Sequence, residues 1–503
     1  MLLINKYLPQ RYIRAIPLIL LLAAVPFLWS GLHGHKANNA DIVNIGSRLE
    51  LFVDTFLIES RNNVTRILHT PVDAGRVLSF DNPWEGPFCG YATIIKDGEI
   101  YRLYYRGLPA AGKDGSSMET TCYAESEDGI NWTKPDLGIY EVSGSENNNH
   151  GNNNVILADV APITHNFSPF LDTREGINPA YKYKALGGTK ISGLIACVSE
   201  DGIHWNKLQE EPVITEGAFD SQNVSFWSEE ERLYLCYFRT WKKVGEQRYR
   251  TISRTVSKDF RHWSDPVEMD FGDTPAEQLY TNQTSPYFRA PHIYIAIAAR
   301  FMPNRQVLTE EQARLLNVNP AYFKDCSDAV LMTSRGRNKY SRSFMDGFIR
   351  PGIGLQNWVS RSNYPALNVV QTGPSEMSVY LNQDYAQPTS HLHRYSLRID
   401  GFVSLNASYE GGEVTTKPFR FTGDTLLLNF STSAAGFIKV EILDTEGKSI
   451  NGFELENATE LIGNEIEKSM SWKGNPDLAK LMDKPIRLRF VMKDADLYSL
   501  RFR

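Results

Sequence analysis

Apolar and polar residues alternate with a period of two through most of this chain, in short runs broken by Gly, Pro, Asn and Asp. A period of two puts one face of a strand on a core and leaves the other wetter, so the runs read as β-strands. Residues 91–105 form two such runs joined at Asp97-Gly98, a pair that turns the chain sharply because Asp caps the backbone and Gly accepts positive φ. Residues 223–227 and 232–238 flank a charged turn, and 285–297 repeat the pattern. Residues 308–319 break it. Thr309 followed by Glu and Gln is a helix start, which predicts one short helix.

One heptad of sequence recurs. Ser126-Glu-Asp-Gly-Ile-Asn-Trp132 returns 73 residues later as Ser199-Glu-Asp-Gly-Ile-His-Trp205. A looser copy follows after 58 residues as Ser257-Lys-Asp-Phe-Arg-His-Trp263, and a decayed one 76 further on at Thr333-Ser-Arg-Gly-Arg-Asn-Lys-Tyr340. Each copy follows an apolar strand and a hairpin. Strand-rich units with periods above 50 indicate propeller blades. A fifth unit runs from about Trp358 to Asp400, so residues 41–405 are expected to form five blades. The motif itself reads as structural, a turn whose Trp covers the blade edge. From about 406 the texture changes to longer alternating strands, such as 425–430, 437–443, 486–492 and 497–502, and residues 406–503 are expected to form a β-sandwich. The fold class expected is therefore all-β, a five-bladed propeller followed by a C-terminal sandwich.

The N-terminus has a different character. Lys6, Arg11 and Arg14 precede an apolar run of 15 residues from Ala15 to Trp29, short for a membrane span and followed by small and polar residues up to Asp41. Residues 1–40 read as an export signal, with an uncleaved anchor as the alternative, and the protein is expected in the periplasm or outside the cell. The remainder has no second long apolar run. Its net charge of −6 gives no basic footprint for nucleic acid. The five cysteines have no metal-ligand spacing and sit among apolar neighbours. They read as buried thiols, with a Cys89–Cys122 disulfide as the alternative. The stretch 147–154 is Asn-rich and reads as a surface loop.

The repeated Ser-x-Asp-Gly-x-x-Trp units and the strands Tyr101-Arg-Leu-Tyr-Tyr105 and Tyr234-Leu-Cys-Tyr237 resemble the five-bladed β-propeller glycoside hydrolases, the invertase, levansucrase and arabinanase-like group of families 32, 43 and 68. The resemblance extends to the layout of export signal, propeller and sandwich. It implies a glycosidase that acts on a poly- or oligosaccharide through carboxylates at the propeller axis, with a phosphorylase, a transglycosylase or a non-catalytic sugar-binding propeller as alternatives. The group's Trp-Met-Asn-Asp-Pro-Asn, Arg-Asp-Pro and Glu-Cys motifs do not occur, so no catalytic residue transfers by motif.

Candidate site residues follow from position, as acids at the approach to inner strands. Asp220 leads, with Ser221, Gln222 and Asn223 beside it to hold hydroxyls. Glu277, Glu85 and Glu376 are expected to complete a ring of acids, Glu277 facing Asp220 across the funnel. Trp84 offers a stacking face beside Glu85. Arg289, His292 and Arg361 are candidate contacts to hydroxyls, carboxylates or sulfates. Asp172 is a weaker candidate, and Asp54, inside an apolar strand, reads as structural. No cofactor is implied, although a calcium ion at the axis stays open.

Overall fold

A computed structural model describes residues 42–143 and 152–503. The export-signal segment, and all but the last three residues of the Asn-rich stretch, lie outside the described residues. Five small antiparallel sheets form the larger unit. Blade one comprises Gly90–Asp97, Ile100–Gly107, Thr120–Ser126 and Val155–Leu157. Blade two comprises Ser168–Leu171, Tyr183–Thr189, Gly193–Ser199 and Asn206–Lys207. Blade three comprises Val224–Ser228, Leu233–Val244, Gln247–Ser257 and Val267–Glu268. In blade four a two-piece inner strand, Leu279–Thr281 and Thr284–Tyr287, pairs with Ala290–Met302, which pairs with Cys326–Ser334. Blade five also has a broken inner strand, Tyr364–Pro365 and Val370–Gln371, followed by Glu376–Gln383 and His391–Arg398. Its outermost strand is Val72–Ser79, from the other end of the propeller sequence, which closes the ring.

Two glutamines tie the five inner strands together at the axis. The Gln222 amide donates to Thr93 Oγ1 of blade one at 2.7 Å and Ser168 Oγ of blade two at 3.3 Å. Gln283 Nε2 of blade four donates to Gln222 Oε1 at 2.6 Å and to the Pro365 carbonyl of blade five at 2.7 Å. All four side chains are buried.

The repeated heptad locks each blade to the one before it. In each of the first three copies the Ser hydroxyl accepts from a backbone N–H of the turn, and the Asp carboxylate accepts two more. The turn residue at the Gly position then enters the preceding blade. The Gly129 carbonyl accepts from Tyr380 of blade five, and Gly202 lies against Tyr104 of blade one. Phe260, in the third copy, adopts φ 66° and packs 5.5 Å from Phe170 of blade two. In the decayed copy Gly336 meets Glu231 of blade three.

The second unit differs from expectation in its membership. Strands Ile58–Asn62 and Val64–Leu68 pair with Gly412–Thr416 and Val403–Ala407, and Val43–Gly46 pairs with Phe419–Phe421. The N-terminal segment expected in the first blade therefore belongs to the C-terminal unit, and the propeller begins at Val72. The long strands Leu426–Leu443 and Arg487–Phe502 run together across a register shift at Thr432/Phe437, and their two halves carry the two layers around one apolar core. From sequence only the apolar stretch around Asp54 reads as a strand here, and nothing in the segment names a partner more than 300 residues away.

The units meet through buried charge. Asp400 accepts from Tyr287, Arg289, Asn429 and Ser499 at 2.7–3.0 Å. Glu50 is held by Arg335 at 2.8 Å and His292 at 3.1 Å, and Arg335 also grips Asp54. The structural reading of Asp54 agrees with this. The helix forms at Glu310–Leu315 with a capping box from Thr309 and Gln312, inside blade four as expected. The five cysteines are free and buried, so no disulfide joins Cys89 to Cys122.

Two predictions follow from these contacts. Gly202 and Gly176 both have positive φ, 77° and 72°, yet a Cβ at Gly202 would lie 2.5 Å from the Tyr104 hydroxyl while one at Gly176 meets nothing within 4 Å. Gly176→Ala should then cost about 1 kcal/mol from conformation alone, and Gly202→Ala about 2 kcal/mol or more. Thermal melts of the two variants should rank them in that order. Burial pushes the Glu50 carboxyl up, but its bond to His292 and the charges of Arg335, His292 and Arg48 outweigh burial and hold it below the ordinary value. A depressed folded pKa stabilises above the unfolded value of about 4.3 and the contribution is lost as pH falls below it. Glu50→Gln should lower stability at neutral pH and flatten the acid limb of a Tm-against-pH curve.

Candidate functional site

In every blade the chain reaches its inner strand through a residue other than glycine in the left-handed region: Tyr91 (φ 52°), Asn166 (51°), Phe219 (54°), Gln283 (47°) and Arg361 (62°). Such conformations cost of order 1 kcal/mol each and persist where the surroundings impose them. Of these, Phe219 packs into the core against Phe238 and Gln283 reaches the axis, while Tyr91, Asn166 and Arg361 join a cluster at one end of the axis.

Phenols and guanidiniums fill that end. Tyr91, Tyr280 and Tyr364 form one cluster, with Tyr280 and Tyr364 rings 5.2 Å apart. Arg106 lies 4.7 Å from the Tyr91 ring, and Arg239, Arg250 and Arg361 lie 4.7, 5.3 and 5.7 Å from the Tyr280 ring. Tyr322, from the blade-four insertion that carries the helix, packs 5.5 Å from Phe88, 5.6 Å from Tyr385 and 5.2 Å from the Arg361 guanidinium. The insertion thereby walls one side of the funnel. Burial opposes charge on Arg361, and the surrounding Tyr280, Tyr385, Tyr91 and Tyr364 outweigh it and raise its pKa, so the group is a permanent cation.

A buried chain of polar groups fixes Arg106. Its Nη1 donates to Asn166 Oδ1 at 3.1 Å, Asn166 Nδ2 reaches His165 Nε2 at 3.1 Å, and His165 Nδ1 reaches Glu119 Oε2 at 2.8 Å. The Gly115 backbone N–H also points at this pair and donates to Glu119 Oε1 and His165 Nδ1, each at 3.2 Å. Glu119 and His165 are thus positioning groups. Sequence reading missed both, because Ser116-Ser-Met-Glu119 carries no motif and lies before an outer strand.

Of the four expected acids, only Asp220 is seen in this cluster. One of its oxygens pairs with Arg239, and the other has no partner among the described residues. Glu277 pairs with Arg300 at 3.0 Å and Arg342 at 2.9 Å, on the flank of blade four. It lines a cleft of about 890 Å³ with Tyr249, Phe301, Asp328 and Trp358. Glu85 is fully buried beneath blade one, where it accepts from Tyr105 at 2.5 Å and Lys134 at 2.7 Å. Trp84 is buried beside it and donates to Asn154 at 2.8 Å, so its face is not open for stacking. Glu376 begins the second strand of blade five and pairs with Arg394, at the opposite end of the axis from Asp220. The error arose from the broken inner strand at 364–371, which left 376–383 looking like the innermost one.

The candidate contacts divide likewise. Arg361 is in the funnel. Gln222 is committed to the axis, whereas both polar atoms of the Asn223 side chain are buried without a partner among the described residues. Arg289 and His292 join the two units, as described above. Asp172 is buried against Lys184 at 2.5 Å and Tyr234 at 2.6 Å. Among the described residues no group of three or more His, Cys, Asp or Glu side chains gathers to hold a metal ion, and the axis carries amides.

No protein-family model matches the chain, and no curated protein matches it. Among solved structures it is similar to a glycoside hydrolase (TM-score 0.42, 10% identity, 65% of this chain and 92% of that one). It is also similar to an N-acetylgalactosamine deacetylase from F. plautii in complex with blood group B trisaccharide (0.41, 12%, 66% and 95%) and to a glycosyl hydrolase from Bacteroides ovatus (0.34, 13%, 72% and 95%). The fold described here rests on the strand pairing and not on these likenesses.

The placement of Glu85 makes a sharp prediction. Glu85→Gln leaves the Lys134 ammonium without its buried partner and should cost about 3 kcal/mol. Whatever activity the protein shows should be unchanged per folded molecule. A loss of turnover with an unchanged melt would return Glu85 to the site.

Proposed function

We propose that the protein is a carbohydrate-active enzyme that cleaves or transfers glycosidic bonds in the funnel, with Asp220 as the reacting carboxylate. The observation that carries this reading is the convergence of a partly exposed carboxylate, buried phenol rings and several guanidiniums from four of the five blades at one end of the axis. Guanidiniums suit the hydroxyls or anionic substituents of sugars, and the buried phenols pack against those guanidiniums. A carboxylate with one oxygen oriented by Arg239 and the other free suits attack at an anomeric carbon or removal of a proton from water. Asp114, on the blade-one side, comes within 3.9 Å of His165 Nε2 and is the second carboxylate this reading would use.

The alternative is a propeller that binds sugar without cleaving it. It gains support from the acids themselves, since Glu277, Glu85 and Glu376 are each neutralised by Arg or Lys elsewhere. The experiment that separates the two is an oligosaccharide screen with the wild-type protein, run with and without inorganic phosphate, followed by Asp220→Asn on any substrate found. The expected outcome is a loss in kcat of roughly 10²-fold or more with an unchanged melting curve. Full activity in Asp220→Asn removes the residue from the mechanism, and retained binding with no turnover in the wild type favours the binding reading.

A further inference from the structure

The funnel has more cationic donors than its own acids can engage. Arg239 gives one nitrogen, Nη2, to Asp220 and lies against the Tyr280 phenol, while its Nε and Nη1 are buried with no hydrogen bond of good geometry among the described residues. The guanidinium of Arg361 has no hydrogen bond or ion pair among the described residues. It lies against the Tyr280 and Tyr322 rings, with Tyr91, Tyr364 and Tyr385 nearby, and its backbone is held at φ 62°. Arg239 and Arg361 approach the same Tyr280 ring, and Arg106 and Arg250 lie close enough to affect their neighbours electrostatically. The Tyr364 hydroxyl in the same cluster is buried and also lacks a partner. Four like charges gathered here, in a chain whose net charge is −6, repel one another, and buried donors left unpaired are unfavourable. A single oxyanion answers both problems, because a guanidinium fork matches the oxygens of a carboxylate, sulfate or phosphate.

We propose that the funnel contains an oxyanion-binding site formed by Arg239, Arg361 and the Tyr364 hydroxyl, which receives either an anionic group carried by the sugar substrate or free inorganic phosphate. The inference rests on the reading of the funnel as a carbohydrate site. The shared chemistry is an oxyanion adjacent to the position where Asp220 would act. A sugar-borne carboxylate or sulfate would make the site a determinant of specificity. Free phosphate would make it the seat of a co-substrate.

The test uses the full chain at constant ionic strength, with chloride as the background anion. Phosphate, sulfate, glucuronate and glucose are each titrated by calorimetry, and melting is followed in parallel. At least one oxyanion should bind and raise Tm above the chloride control, and glucose should bind at least 10-fold more weakly. Arg361→Gln should weaken that oxyanion at least 10-fold, and Arg361→Lys should recover part of the loss. Arg239→Gln, whose own loss of Asp220 pairing alters the site, serves as a second variant with the same expected direction. Glucuronate binding that phosphate does not match indicates a sugar-borne group, and phosphate binding that glucuronate does not match indicates the free ion. No oxyanion response in the wild type, or an affinity unchanged in Arg361→Gln, overturns the proposal. Oxyanion binding together with no cleavage of any glycoside would instead defeat the enzymatic reading and leave the site standing.

Discussion

The structure depends on a pair of amide side chains. Gln222 and Gln283 meet at the centre of the ring, and between them they reach Thr93, Ser168 and the Pro365 carbonyl. An amide offers two donors and an acceptor without charge, so several can share a buried axis where carboxylates would repel. Water is excluded at this point, and each bond left unmade would be costly. The register of five separate sheets is thereby fixed at one level. The left-handed entries at Tyr91, Asn166, Phe219, Gln283 and Arg361 lie close to that level, and the funnel is the space they enclose.

Much of the fold was legible in the sequence because its signals are local. The alternation of apolar and polar residues, the Asp-Gly turns and the repeated heptad each act over a few residues, and they gave five blades and the one helix at its Thr309 cap. What was not legible was pairing at a distance. Val72–Ser79 joins His391–Arg398, and 43–68 joins the C-terminal strands, with no mark in either segment that names the other. The site was harder still. Asp220 and Arg361 were found because they sit at true inner-strand entries. Glu376 was misplaced because blade five has a broken inner strand, and Glu119 was overlooked because its role comes from His165, 46 residues away.

Arginine–carboxylate pairs occur in three settings here, and composition does not distinguish them. At Glu277 two arginines surround one acid and leave it little free valence. At Asp400 and Glu50 the pairs fasten the propeller to the second unit, where hydroxyl and amide donors complete the shell. In the funnel the excess of guanidiniums over acids is larger still, several to one, and donors are left over. The count of oxygens against donors, more than the presence of charge, separates a structural pair from a group available to a ligand.

The split second unit has a consequence for how the chain is made. Strands Ile58–Asn62 and Val64–Leu68 are translated before any blade, yet their partners begin at Val403. At about 5–20 residues per second they emerge from the ribosome roughly 15 seconds to a minute before those partners exist. During that interval their edges are open to wrong pairings, and the ring cannot shut until His391–Arg398 arrives for Val72–Ser79. Both units therefore wait for strands made late in the chain. A nascent chain of this protein carries open strand edges through most of its synthesis.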